Sequence, residues 1–235
     1  MNEPLTFLHD YCDFSDPQWV WMLKGVSRNK DNDNSGVKFM RRLVIRKPEE
    51  LETCRQEMHN LMTDPDTFYR IYISLNSRNV VKGLFEFQKK MIDIGQGLAR
   101  GLDDHLWMSK KVHSLWKTEL EQRSCRGTKR ILLDVDNEPT EDNALAIVAF
   151  LNQHVKTKVH VMRKTVSGWA IVFDACDTRE LMRLCEKEWK IEADLQRDSM
   201  VFVEQWRGNN LSKKGMVQDD SGNWMTEEEY HSLYA

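Results

Sequence analysis

The chain has 235 residues, 40% of them hydrophobic and 30% charged, with a formal net charge of −3. That is enough chain to bury one large core or two small ones, and the near-neutral balance excludes a uniformly basic coat while leaving room for a local basic patch. No apolar run is long enough to cross a bilayer, and residues 1–14 lack the basic start and apolar middle of a signal peptide. The five cysteines are scattered without a CxxC pair, so reduced thiols, a cytoplasmic location and no membrane partner are expected.

Ser15, Asp16 and Pro17 read as a helix start leading into a Trp/Met/Leu/Val helix to about residue 28. Residues 30–36, KDNDNSG, form a polar breaker loop. A strand over 37–45, a charged helix from Pro48 to about 62 and a strand over 68–75 (FYRIYISL) follow. Next comes a long helical region in which Val81, Leu84, Phe85, Met91 and Ile92 share one face, an interruption at 95–101, and a second helix over about 103–122 carrying Trp107 and Trp116. The tryptophans are expected in the core. Residues 1–126 form an N-terminal α/β unit with long helices, closed by the basic linker 124–129.

The second unit, 127–206, is more regular. A strand at 130–135 precedes a helix that starts at Thr140 with acids in its first turn. Strands at 158–166 and 168–173, a helix capped by Asp177 and Glu180, and further strand at 191–195 and 200–206 complete the order β-α-β-β-α-β. The fold class is therefore α+β, a ferredoxin-like (RRM-like) palm behind an N-terminal α/β unit. Residues 207–235 read as a loop, a turn at 221–223 and a short helix from about Thr226.

The chemistry concentrates at RILLDVDNEP, residues 130–139. Residues i and i+2 of a strand share a face, so Asp134 and Asp136 point the same way, about 6–7 Å apart along the chain. Two carboxylates so placed repel unless a cation lies between them, and hard oxygen donors suit Mg²⁺ or Mn²⁺. Glu204, in MVFVEQW, is the candidate third ligand from the last strand of the unit. The hairpin at 161–173 offers Arg163, Lys164, the Ser167 hydroxyl and the Gly168 N–H to phosphates. Arg78, just after the strand at 68–75, lies where a loop of the first unit can face the palm. Each has a plainer reading: solvated acids at a strand end, an edge glutamate, a solvated hairpin face, or a helix cap near Ser77.

A strand ending in two aspartates one residue apart, a hairpin reading S-G-x-H and a strand with a third acid is the motif order of the archaeo-eukaryotic primase superfamily, the primase-polymerases. LLDVD (132–136), TVSGWA (165–170) and VFVEQ (201–205) resemble these motifs in turn, over roughly residues 128–206. The YISLN, RGTK, LLDVD and SGW segments also resemble a pattern in tailed-phage proteins of similar size. The resemblance implies a nucleotidyltransferase that uses Mg²⁺ or Mn²⁺ on Asp134, Asp136 and Glu204. It also implies nucleoside triphosphates, single-stranded or primed nucleic acid, and a helicase or other replication protein as partners. One position departs from the pattern. The family's second motif supplies a phosphate-contacting histidine, and Ala170 stands in its place. Either catalysis is lost with binding retained, or the chain carries a substitution at an active-site histidine; the intact SGW-IVF frame favours the second.

Two alternatives use the same residues differently. A non-catalytic nucleic-acid-binding protein, such as a phage regulator or host-defence antagonist, would stack bases on the palm sheet. A phosphohydrolase of the haloacid-dehalogenase type would use the DxD pair as nucleophile and acid/base within a parallel sheet.

Overall fold

The computed structural model describes residues 3–27, 40–62, 64, 67–136, 140–207, 216–218 and 224–226. The first part runs α1 (Glu3–Tyr11), β1 (Trp19–Ser27), β2 (Met40–Ile45), α2 (Glu50–Leu61), β3 (Phe68–Ser74) and the two-residue β4 (Arg78–Asn79). It continues with α3 (Val80–Ala99), α4 (Asp103–Ser109) and α5 (Val112–Leu120). The second part runs β5 (Arg130–Val135), α6 (Glu141–Phe150), β6 (Val159–Lys164), β7 (Trp169–Asp174), α7 (Arg179–Leu184), β8 (Ala193–Gln196) and β9 (Met200–Arg207). A hairpin of β10 (Met216–Gln218) and β11 (Trp224–Thr226) pairs only with itself among the described residues. The architecture is α+β, built on two antiparallel sheets. No helix among the described residues is long and apolar enough to cross a membrane.

The segment expected as a helix after Pro17 is instead β1, at the centre of the first sheet, whose order is β2–β1–β3–β9. WVWMLKGVS is buried along most of its length, so it shows no alternation by which period could separate strand from helix. Pairing with β2 on one side and β3 on the other decides the matter. The expected interruption at 95–101 is also displaced: α3 runs through Gly95 and Gly97, and the chain breaks at Gly101, whose φ is +74°. Gly97 serves close approach, since a Cβ there would lie 2.1 Å from the His105 ring. The second helix divides into α4 and α5. Nor is 124–129 a loose linker: Gly127 N–H donates to the Ser77 carbonyl at 2.8 Å and Arg126 Nη1 to that of Arg197 at 2.8 Å.

The second sheet has the order β6–β7–β5–β8, every pair antiparallel. Ile131, Leu133 and Val135 of β5 join Ile171 and Phe173 of β7 under α6 and α7, one of the two main cores. Thr140 caps α6 reciprocally with Asn143, a capping box. At the next helix Asp177 accepts from the Arg179 N–H but no such box forms. β8, not the 200–206 segment, closes this β-α-β-β-α-β sheet. β9 turns back and pairs with β3 in the first sheet. The expected breaker loop at 30–36, most of the C-terminal loop and turn, and any helix beyond Thr226 fall outside the described residues; Thr226 itself ends β11.

The two sheets meet edge to face. Arg163 on β6 donates to the Val203 carbonyl on β9 at 2.7 Å, and Leu132, Ala170 and Val172 of the second sheet share a core with Ile71, Ile73, Val201 and Val203 of the first. α1 and α2 fill that side. On the other side of the first sheet, Val20 and Met22 of β1 are covered by Leu120, Val80 and Trp116 from the helical arm. Along that face the apolar cover then ends, and Lys24 and Val26 open into a cleft between the sheets.

Candidate active site

The cleft has a volume of about 480 Å³. One wall is the second sheet, where strand alternation sends Ile131, Leu133 and Val135 into the core and leaves Leu132 and Asp134 on the opposite face. Asp134 sits on the central strand, directly across from Ala170 on β7 and from Asp194 on β8. Side chains so paired share a face with Cβ atoms roughly 4.5–5.5 Å apart. Asp136, just beyond the strand, also lines the cleft. Its N–H donates to the Glu192 carbonyl at 3.0 Å, and its Oδ1 accepts from Ser167 Oγ at 3.1 Å. The hairpin can come this close because residue 168 is glycine: a Cβ there would lie 1.7 Å from the Val135 carbonyl oxygen.

The facing wall is the first sheet. Lys24, Tyr72 and Phe202 form one cross-strand row over β1, β3 and β9, and Val26, Arg70 and Gln205 the next. Tyr72 and Phe202 meet edge to face with ring centroids 6.0 Å apart. Arg70 is 7% exposed, so its charge lies close to low-dielectric surroundings at the cleft. At the far end Gln196 is held between Ser199, whose hydroxyl donates to it, and Asp194, which accepts from its Nε2 at 3.1 Å.

Several expected members lie elsewhere. Glu204 faces α2, where Arg55 Nε and Nη2 donate to its two oxygens at 2.6 and 2.7 Å and His59 Nε2 lies 3.1 Å away. A register shift at β3 explains this. Tyr72 pairs with Phe202 but Ile71 with Glu204, so the extra residue Val203 reverses the facing of the residues after it. Burial alone would raise the Glu204 pKa, but the hydrogen bonds from His59 and Arg55 outweigh it and hold the carboxyl below its usual range. Arg163 is committed to the Val203 carbonyl, to Glu3 at 3.6 Å and to the Phe7 ring at 4.5 Å. Burial pulls its guanidinium below the usual value, with Glu3 and Glu204 acting the other way.

Arg78 is 4% exposed and structural: Nη2 donates to Asp198 Oδ1 at 2.7 Å and Nη1 to the Glu121 and Gln122 carbonyls. The Gly168 N–H donates within its own turn to Thr165 Oγ1 at 3.1 Å, so it does not point at a ligand. Lys164 is exposed at the end of β6, away from the cleft lining. Of the expected set, the structure brings together Asp134, Asp136, Ser167 and Ala170. Lys24, Arg70, Tyr72 and Phe202 join them at the cleft, and Asp194 beside Asp134 on β8, none of them a residue the sequence singled out.

Among the described residues, no group of three or more His, Cys, Asp or Glu side chains is gathered as a metal site. The side-chain oxygens at the cleft are those of carboxylates, hydroxyls and the Gln196 amide, hard donors that suit Mg²⁺ or Mn²⁺ better than zinc. No protein-family model and no curated protein sequence matches the chain.

Proposed function

We propose that the cleft binds a nucleoside triphosphate with Mg²⁺ or Mn²⁺ and transfers its nucleotide to the end of a nucleic acid, in the manner of the primase-polymerases. One observation carries the reading: Asp134 and Asp136 line one wall while Lys24 and Arg70 line the wall facing them. A polyphosphate–cation pair is the ligand whose two charges match both walls. Asp134 and Asp136 would hold the cation, and with no third carboxylate gathered there among the described residues the remaining positions would fall to water and phosphate oxygens. Lys24 and Arg70 draw in the polyphosphate, Arg70 as a fixed fork and Lys24 as a mobile point charge. Tyr72 and Phe202 give the sugar or base an apolar, aromatic surface. The bound cation would neutralise the triphosphate and lower the barrier to attack by a nucleic-acid hydroxyl. Ala170, directly opposite Asp134, offers only a methyl group where a phosphate donor is expected, which limits the rate without closing the site.

The alternatives fit the architecture less well. The phosphohydrolase reading needs a parallel sheet around the DxD strand, and β5 is antiparallel to both its neighbours. The sheet-binding reading needs a free palm face, and the β9 edge is docked on that face.

At about 6–7 Å and an effective dielectric near 20, the two aspartates repel by about 2–3 kcal/mol. Replacing both by Asn should therefore leave the melting temperature unchanged or raised, and should abolish Mn²⁺-dependent binding of a triphosphate in calorimetric titration. An equal Mn²⁺ and triphosphate response in wild type and Asp134→Asn/Asp136→Asn would overturn the proposal.

A further inference from the structure

Asp134 and Asp136 are held in unequal ways. Asp134 lies within β5, in register with Ala170 on one side and Asp194 on the other, so the sheet fixes its backbone from both edges. Asp136 follows the last residue of that strand, where its N–H donates to the Glu192 carbonyl at 3.0 Å. The direction of its carboxylate is set from the hairpin. Ser167 Oγ donates to Asp136 Oδ1 at 3.1 Å, the one side-chain hydrogen bond of Asp136 among the described residues. The turn that carries this hydroxyl is braced. The Thr165 N–H donates to the Gly168 carbonyl at 2.8 Å, and the Gly168 N–H donates to Thr165 Oγ1 at 3.1 Å. Gly168 seats the turn against the end of β5, since a Cβ on it would lie 1.7 Å from the Val135 carbonyl oxygen and 3.2 Å from Asp136 Cα.

We propose, on the nucleotide-binding reading above, that Ser167 is a positioning residue for the cation, acting through Asp136, where the sequence suggested a contact to phosphate. Its single proton separates the two roles. A serine hydroxyl carries one hydrogen and two lone pairs. With that hydrogen given to Asp136, Ser167 has only lone pairs to turn toward the cleft. An ionised phosphate oxygen also offers lone pairs, so no hydrogen bond forms between the two. The same bond occupies one acceptor site of Oδ1 and leaves Oδ2 for a cation. A carboxylate that turns freely at a strand end loses that freedom when it takes a metal, and the hydroxyl removes it beforehand. Removing the hydrogen-bond partner of a metal-holding group typically costs about 10–100-fold in metal affinity. Ser167 is exposed, which puts its share near the lower end, about tenfold.

The test titrates Mn²⁺ alone, and then a non-hydrolysable nucleoside triphosphate at saturating Mn²⁺, into wild type, Ser167→Ala and Ser167→Thr. Ser167→Ala should lower the Mn²⁺ affinity about tenfold and leave the triphosphate step within about twofold of wild type. Ser167→Thr keeps the hydroxyl and should restore the Mn²⁺ affinity. Because residue 167 is exposed, the melting temperature without metal should stay within about 2 °C of wild type in both variants. Unchanged Mn²⁺ affinity in Ser167→Ala, a loss confined to the triphosphate step, no rescue by threonine, or a melting temperature that falls with the affinity overturns the positioning role and leaves the nucleotide reading standing. A wild type that takes up no Mn²⁺ overturns both.

Discussion

Removing the Glu204 carboxylate separates the two roles open to this residue. If Glu204 were a metal ligand, Glu204→Ala would cost little stability and abolish cation binding. The geometry gives the reverse. The carboxylate forms a two-pronged pair with Arg55 whose side chains are 12% and 14% exposed, with His59 as a third contact. Deleting one member of a buried pair leaves the other charge uncompensated, typically about 3–5 kcal/mol. Partial exposure places this case near the lower end, about 3 kcal/mol. For a chain of this size that lowers the melting temperature by roughly 6–12 °C. Arg55→Ala should cost a similar amount, and the Arg55→Ala/Glu204→Ala double variant clearly less than the sum. Thermal unfolding followed by circular dichroism measures the loss, and Mn²⁺ titration of the folded variant should match wild type. A melting temperature within about 2 °C of wild type together with lost Mn²⁺ binding would refute the reasoning.

The same pair fixes a pH dependence. The Glu204 carboxyl titrates lower in the folded chain than in the unfolded one, so its contribution is fully present above the unfolded value of about 4.3 and is lost as pH falls through the folded value. Glu204→Gln should flatten that acid limb of a stability–pH profile, and an unchanged limb would exclude the pair as its source. Gly168→Ala should cost about 3 kcal/mol, because the added methyl meets the Val135 carbonyl and the backbone must give way. It should also weaken Mn²⁺ binding by moving Asp136, and a variant with wild-type stability would contradict the close approach. Ala170→His should restore or raise metal-dependent nucleotide incorporation; equal incorporation by both forms would remove that position from the mechanism. Lys24→Ala should weaken triphosphate binding about tenfold and leave binding of the uncharged nucleoside unchanged; equal losses on both would remove it from phosphate recognition.

The second unit was legible because its strands alternate or end on turn signals and its first helix carries a cap. LLDV runs into DxD at a position where the i, i+2 rule alone puts both aspartates on the cleft wall. The first unit was less so. WVWMLKGVS is buried on both faces and carries no period, and its partners lie elsewhere in the chain. Glu204 failed for a reason that no pattern displays, since one bulged residue at Val203 reverses the strand's facing. Asp194 was open to discovery. The ferredoxin-like order sets the last strand beside the first, and placing that strand at 193–196 and not at 200–206 puts Asp194 next to Asp134. Lys24, Arg70, Tyr72 and Phe202 fall on one face by alternation within β1, β3 and β9. Only the packing of the two sheets shows that their face is a cleft wall.

The most direct test is crystallographic: the protein grown with Mn²⁺ and a non-hydrolysable triphosphate, with the metal located by anomalous scattering. The account predicts manganese against Asp134 and Asp136, with the phosphates reaching toward Lys24 and Arg70. Manganese on other residues, or triphosphate outside the cleft, would contradict it.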